Sequence, residues 1–177
     1  MADIWTKELA GFGLASVMLR NGAAIDALGA ALGFAVADGP VTSKGPVASG
    51  GPVASGGAGL DLWGTGPGQW LAHADQAGAD WADGLGETLA GIAAVVDQSG
   101  AYTLIEVGGA DARAVLQKGL PVDLSAPEVL PGAIWVSAIA HIGVIVHWAH
   151  PDRYHLAVFR SFAASFREWL DEAIAAL

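Results

Sequence analysis

The 177-residue sequence contains no cysteine, which removes disulfides, thiolate nucleophiles and thiolate metal sites from consideration. A reducing compartment is therefore permitted. Basic residues are also scarce, with 8 Lys and Arg against 18 Asp and Glu, and the formal net charge of −10 would repel phosphate backbones and anionic membrane surfaces. No nucleic-acid partner is expected. The N-terminal stretch MADIWTKELAG places Asp3, Lys7 and Glu8 where a secretory signal needs an apolar run, so a cytoplasmic location is expected. Charge of either sign is sparse too, 15% of residues where soluble domains average about 25%.

What fills the place of charge is apolar: 53% hydrophobic residues, seven tryptophans and a mean hydropathy of +0.46. A chain with so little charge to spread over its surface is expected to have part of that surface covered by a partner. Residues 129–151 carry no formal charge and match the length of a spanning helix. Pro131, Gly132, Gly143 and three histidines interrupt them, however, and Pro151-Asp152 reads as a hairpin turn. No membrane association is expected.

Residues 101–125, AYTLIEVGGADARAVLQKGLPVDLS, are the most legible stretch. Tyr102 to Val107 alternate as a strand, Gly108-Gly109 supply a tight turn, and Asp111 puts a carboxylate in a helical first turn. Ala112, Val115 and Leu116 form the apolar helix face, and Lys118, Gly119 and Pro121 read as stop signals. Upstream, Gly11 to Arg20 reads as a strand, Asn21 as a helix N-cap, and Ile25, Leu28 and Leu32 fall at helical spacing. Leu60 to Trp63 and Gln69 to Ala72 read as a hairpin across GTGPG. Asp80 then caps a helix with Trp81, Leu85, Leu89 and Ile92 on one face, followed by a strand at Ala93 to Val96. Ile134 to Ala140, Val144 to Trp148 and Tyr154 to Phe159 complete the strands, and Ser161 to Leu177 is an amphipathic helix with Phe162, Phe166, Trp169, Leu170, Ala173 and Leu177 on its apolar face.

The element order repeats with an offset of about 85–90 residues. The expected fold is α+β, a duplicated strand-helix-strand-strand-helix unit with mostly antiparallel sheets and packed helices. We expect one domain, 1–177, with halves of about 9–98 and 99–177. The Gly/Pro/Ser-rich loop 38–59, with GPVASG in tandem at 45–50 and 51–56, is expected to be mobile.

Catalytic constellations are missing. GTGPG runs into an apolar strand rather than a helix, so it lacks the dinucleotide-binding context, and neither GxxxxGK[ST] nor GxSxG occurs. His141, His147, His150 and His155 cluster without a diagnostic zinc spacing, and they read as half-buried or surface side chains. Glu168, Asp171 and Glu172 read as a solvated helix face. No catalytic, cofactor-binding or metal residue is assigned. Trp135, Trp148 and Arg160 are assigned to the packed second half or its partner contact.

GGADARAVLQKGLPVDLS resembles the "GPxAxxLLxKGCPxDL" segment of sarcosine oxidase gamma subunits, a branch of the folate-binding T-protein-like group. Gly66-Pro67-Gly68-Gln69-Trp70-Leu71 is similar to that family's "GPDEWL" strand entry, and Arg160-Ser161-Phe162 with Phe166 and Trp169-Leu170 extends the likeness to the C-terminus. Leu120 departs from it, standing where the family often has cysteine. The resemblance implies a T-protein-like fold and a non-catalytic subunit of a heterotetrameric oxidase that demethylates sarcosine to glycine. It further implies partnership with alpha, beta and delta subunits, which would carry FAD, FMN, NAD and tetrahydrofolate. The alternative it leaves open is a stand-alone folate-binding or aminomethyltransferase-like protein, or the equivalent subunit of a related N-methyl amino-acid dehydrogenase. A folate site would need a stacking aromatic and an arginine, and Trp148 with Arg153 or Arg160 are the candidates.

Overall fold

The computed structural model describes residues 2–44, 59–126 and 129–177. In chain order the elements are β1 (Trp5–Glu8), β2 (Gly13–Leu19), α1 (Ile25–Leu32), β3 (Thr42–Lys44), β4 (Leu60–Gly66), β5 (Gln69–Ala74), α2 (Trp81–Thr88) and β6 (Ala93–Asp97). They continue as β7 (Tyr102–Gly108), α3 (Ala112–Gln117), β8 (Ile134–Ile139), β9 (Ile142–His150), β10 (Arg153–Phe159), a 3-10 turn at Arg160–Phe162 and α4 (Ala163–Ala175). The chain divides into two compact units, Gly11–Gly100 and Met1–Ala10 with Ala101–Leu177. Residues 1–8, outside both expected halves, thus enter the unit built by the C-terminal part of the chain.

The 11–100 unit is a five-stranded antiparallel sheet in the order β3-β4-β5-β2-β6. Period-2 alternation puts Ala15, Val17, Leu62, Trp70 and Ala72 in one core cluster with Leu28 of α1 and with Trp81 and Leu85 of α2. The GPGQWL hairpin ties three segments together. Gly68 takes φ +64°, its N–H donates to the Asp38 carboxylate (3.0 Å), and its carbonyl accepts from Leu19 N–H (2.9 Å). The Trp70 indole N–H donates to the Ala37 carbonyl at 3.0 Å. The start of the expected 38–59 loop is consequently bonded in place: Ser43 Oγ accepts from Ala37 N–H (2.9 Å), and Thr42–Lys44 is strand β3, paired with β4. Residues 45–58, which hold both GPVASG copies, lie outside the described residues.

Asn21 is not the N-cap of α1. Asn21-Gly22 form a turn that needs a left-handed residue directly after the strand, Gly22 at φ +85°, and the helix starts at Ile25 with Ala24 in the cap position.

The second unit repeats this topology. Its sheet order, read from the far edge, is β8-β9-β10-β7-β1, so β8, β9, β10, β7 and β1 take the places of β3, β4, β5, β2 and β6. α3 follows β7 as α1 follows β2, and α4 follows β10 as α2 follows β5. The fifth position is filled by the N-terminal strand, whose Thr6 and Lys7 pair with Val107 and Glu106. Val115 and Leu116 of α3 and Phe166 and Leu170 of α4 share a core cluster with Ile105, Val107, Val146 and Leu156 of the sheet.

The 101–125 stretch closes this unit by close approach as much as by apolar burial. Gly109 sits at φ +111°, donates to the Asp152 carbonyl (3.0 Å), and has its missing Cβ position filled by the Asp3 backbone. Asp111 and Asp3 then exchange bonds, Asp111 N–H to Asp3 C=O (3.1 Å) and Asp3 N–H to the Asp111 carboxylate (2.8 Å). Gly119, expected as a helix stop, is small for another reason. A Cβ there would lie 2.5 Å from the Trp169 ring and 2.8 Å from Ile139, while Lys118 Nζ donates to the Ala173 carbonyl of α4 at 2.8 Å.

Two positions expected on the apolar face of the last helix are instead exposed, Phe162 and Leu177, each at 51%. Phe162 belongs to the 3-10 turn, whose three residues per turn rotate it off the face that the 3.6-residue helix carries from Phe166 onward. Leu177 follows the last helical residue.

β8 and β9 are joined by Ala140-His141, which take φ +50° and +65°. This is the two-residue hairpin geometry that favours Asn-Gly, and here L side chains occupy both left-handed positions. Ala140→Asn with His141→Gly is expected to raise stability by about 1–2 kcal/mol, read as a higher urea midpoint with an unchanged m-value. An unchanged or lower midpoint would show that the native side chains offset this strain.

Candidate interaction surface

A polar group lies across the sheet of the second unit, on the face opposite the core cluster with the helices. Lys7, Glu106, His155 and His147 are successive cross-strand neighbours on β1, β7, β10 and β9. Glu106 Oε2 lies 3.1 Å from His155 Nε2 and 3.8 Å from Arg153 Nε. His147 meets His155 edge to face at 5.4 Å between ring centroids. With His147 buried and Glu106 and His155 nearly so, these side chains clasp three strands in register. His141 is in the hairpin turn and His150 at the end of β9, both exposed, so the four sequence-clustered histidines do not converge. Among the described residues no group of three or more His, Cys, Asp or Glu is placed to hold a metal ion.

Two of the residues considered for a folate site are engaged within the unit. Trp148 is 4% exposed, stacked on Tyr154 at 5.9 Å, with the Arg113 guanidinium 4.9 Å from its ring centre. Its π-face is used inside the unit. Arg153 is engaged with Glu106 and lies over the Trp5 ring at 5.8 Å.

Arg113 is also bonded to Tyr154, its Nε donating to Tyr154 Oη at 3.4 Å. Burial pushes the Tyr154 hydroxyl above its ordinary value near 10, and the hydrogen bond and charge of Arg113 offset part of that rise. A raised folded-state value means that this contribution to stability is intact below about pH 10 and is lost as pH rises through the folded value. Arg113→Met is expected to move the tyrosinate absorbance of Tyr154 to still higher pH. A titration curve that shifts downward would refute this account.

A different kind of group sits where β7 begins and β10 ends. Tyr102 and Phe159 are cross-strand partners with rings stacked at 4.6 Å, and Phe159 is 45% exposed. Arg160 follows, donating its backbone N–H to the Ala101 carbonyl (2.8 Å) and Nη2 to the Tyr102 carbonyl (3.3 Å). Phe162 is exposed two residues further on. Two exposed aromatics either side of an arginine that is hydrogen-bonded to the neighbouring strand have the composition of an interface anchor. Of the three residues assigned from sequence, Arg160 lies in this knuckle, Trp148 is inside the core, and Trp135 is half-buried on β8 against the core cluster. Phe159 and Tyr102 were missed because the strand alternation that reveals them also describes ordinary core residues.

The profile of the sarcosine oxidase, gamma subunit family matches residues 22–176. The chain belongs to that family. Its three resemblance segments fall on the GPGQWL hairpin, the α3 closure and the Arg160 knuckle. No curated protein matches the chain. Among solved structures, the heterotetrameric sarcosine oxidase from Corynebacterium sp. U-96, in complex with pyrrole 2-carboxylate, is similar at a TM-score of 0.81 and 22% identity, covering 98% of this chain and 84% of that one. The glycine cleavage system aminomethyltransferase T from Bartonella henselae is similar at a TM-score of 0.69 and 19% identity over 96% of this chain, which spans 45% of that enzyme. The duplicated α+β architecture is thus that of the T-protein-like fold.

Proposed function

We propose that this chain is the gamma subunit of a heterotetrameric sarcosine oxidase and serves it as a structural and assembly subunit. The complex carries out oxidative demethylation of sarcosine to glycine, linked to tetrahydrofolate, with hydrogen peroxide formed. Alpha, beta and delta subunits are its partners, and they hold FAD, FMN, NAD and tetrahydrofolate in a cytoplasmic assembly. Family membership supports this reading, and the observation that carries it is the exposed aromatic group of Phe159, stacked on Tyr102, and Phe162, either side of Arg160. Glu106 and His155, by contrast, pair with each other across β7 and β10, with Arg153 beside them. Among the described residues no helix is long and apolar enough to cross a membrane.

The test is a pull-down of the tagged chain from its native cells with an absorption spectrum of what co-purifies. A stoichiometric complex with flavin bands and sarcosine-dependent peroxide production is the expected result. Phe159→Ala with Phe162→Ala is expected to lower its yield at least tenfold. A colourless monomer that binds tetrahydrofolate saturably would replace this reading with the stand-alone folate protein.

A further inference from the structure

Sheet edges present unpaired N–H and C=O groups, and native proteins blunt them with charge, brevity or cover. Among the described residues three of the four sheet edges do so. β1 carries Lys7 and Glu8, β3 is three residues long and carries Lys44, and β6 ends on Asp97. β8, the fourth, is Ile-Trp-Val-Ser-Ala-Ile: six residues, no charge, no proline and an unbroken register with β9 on its inner side. Among the described residues no strand pairs with its outer side, and Val136 is 60% exposed at its centre.

We infer that the outer edge of β8 is the docking site for an extended strand of a partner subunit, added to the sheet by backbone hydrogen bonding. The charge distribution defines that strand. It is uncharged and β-branched where it pairs, matching β8, and lysine or arginine flanks it. The reason is that Trp169 of α4, which shares the space above Gly119 with Ile139 at the end of β8, is flanked on its helix by exposed Glu168 and, one turn on, by exposed Glu172. The same charge argues against a second copy of this chain, since each copy brings a net charge of −10. The inference rests on the subunit reading and adds a second contact surface to the aromatic knuckle.

Hydrogen exchange followed by mass spectrometry, on the isolated chain and on the complex recovered from native cells, tests this directly. Amides of β8 are expected to exchange at least tenfold more slowly in the complex. Val136→Lys is expected to reduce the recovered flavin-containing, sarcosine-oxidising complex at least tenfold, and Val136→Thr to preserve it. The isolated variants are expected to keep the wild-type unfolding midpoint. Unchanged β8 exchange in the complex, or full recovery with Val136→Lys, would overturn the inference and leave the subunit reading standing. An isolated wild-type chain that is a dimer broken by Val136→Lys would overturn it in favour of a second copy. Failure of the wild-type chain to recover any flavoprotein would remove the subunit reading and this inference together.

Discussion

Phe166→Ala is expected to cost about 3–5 kcal/mol of stability, while Phe162→Ala, four residues earlier, is expected to cost less than about 0.5 kcal/mol. Phe166 is fully buried on the face of α4 that meets the sheet, and its ring tilts against Trp169 at 5.6 Å. Truncation there removes the transfer free energy of the ring and leaves a cavity that Leu116, Leu170 and Val146, rigid members of the same cluster, can fill only in part. Phe162 is half exposed in the 3-10 turn, so its loss opens no cavity. Urea unfolding of the two variants checks this. A loss under about 1 kcal/mol for Phe166→Ala would mean that α4 is held chiefly elsewhere, with the Lys118–Ala173 capping bond the first place to look.

Gly109→Ala carries the second largest expected effect, about 2–5 kcal/mol, as the sum of two separable costs. At φ +111° an L side chain is strained wherever it stands. In addition, its Cβ would run into the backbone of Asp3 and Ile4, which bring the N-terminal strand to β7. Gly132→Ala separates the costs, because Gly132 has φ +97° but nothing within 4 Å of a Cβ, and about 1–3 kcal/mol is expected there. Only Gly109→Ala is expected to accelerate amide exchange in residues 5–8. Equal destabilisation by both variants would rule out the close approach of the N-terminal segment as a source of stability.

Much of this architecture was legible because it follows from local periodicity. The strands at 60–66, 69–74, 93–97, 102–108 and 153–159 are visible as alternation between turn residues, and the buried face of α4 from Phe166 to Ala173 as a 3.6-residue repeat. The places where local reading failed are those where a second segment decides. Asn21 has the chemistry of a cap, but the turn at Gly22 claims it. Gly119 has the position of a helix stop, but its size is dictated by Trp169, fifty residues later. Phe162 has the spacing of a core residue, but a change in helix type turns it outward. For the interaction surface the signal was weaker still. Trp148, Trp135 and Arg160 are chemically suited to an interface alike, and only burial separates the core ring from the exposed arginine.

By itself the sequence determined the absence of thiol chemistry, the acidic and apolar balance that calls for a covered surface, the α+β class, the duplication of element order, and the motifs that resemble the gamma-subunit family. Composition, alternation and short motifs are properties of neighbouring residues, and each can be read without knowing what they meet in space. Tertiary structure alone decided that the N-terminal strand completes the sheet of the C-terminal unit, that Glu106, His155 and His147 clasp three strands, and that Phe159 and Val136 face outward. Those facts depend on register and on contacts between residues far apart in sequence, such as Arg167 with Glu8, 159 positions away. A pairing of that kind is set by the free energy of the whole packed unit, to which no local stretch of sequence has access.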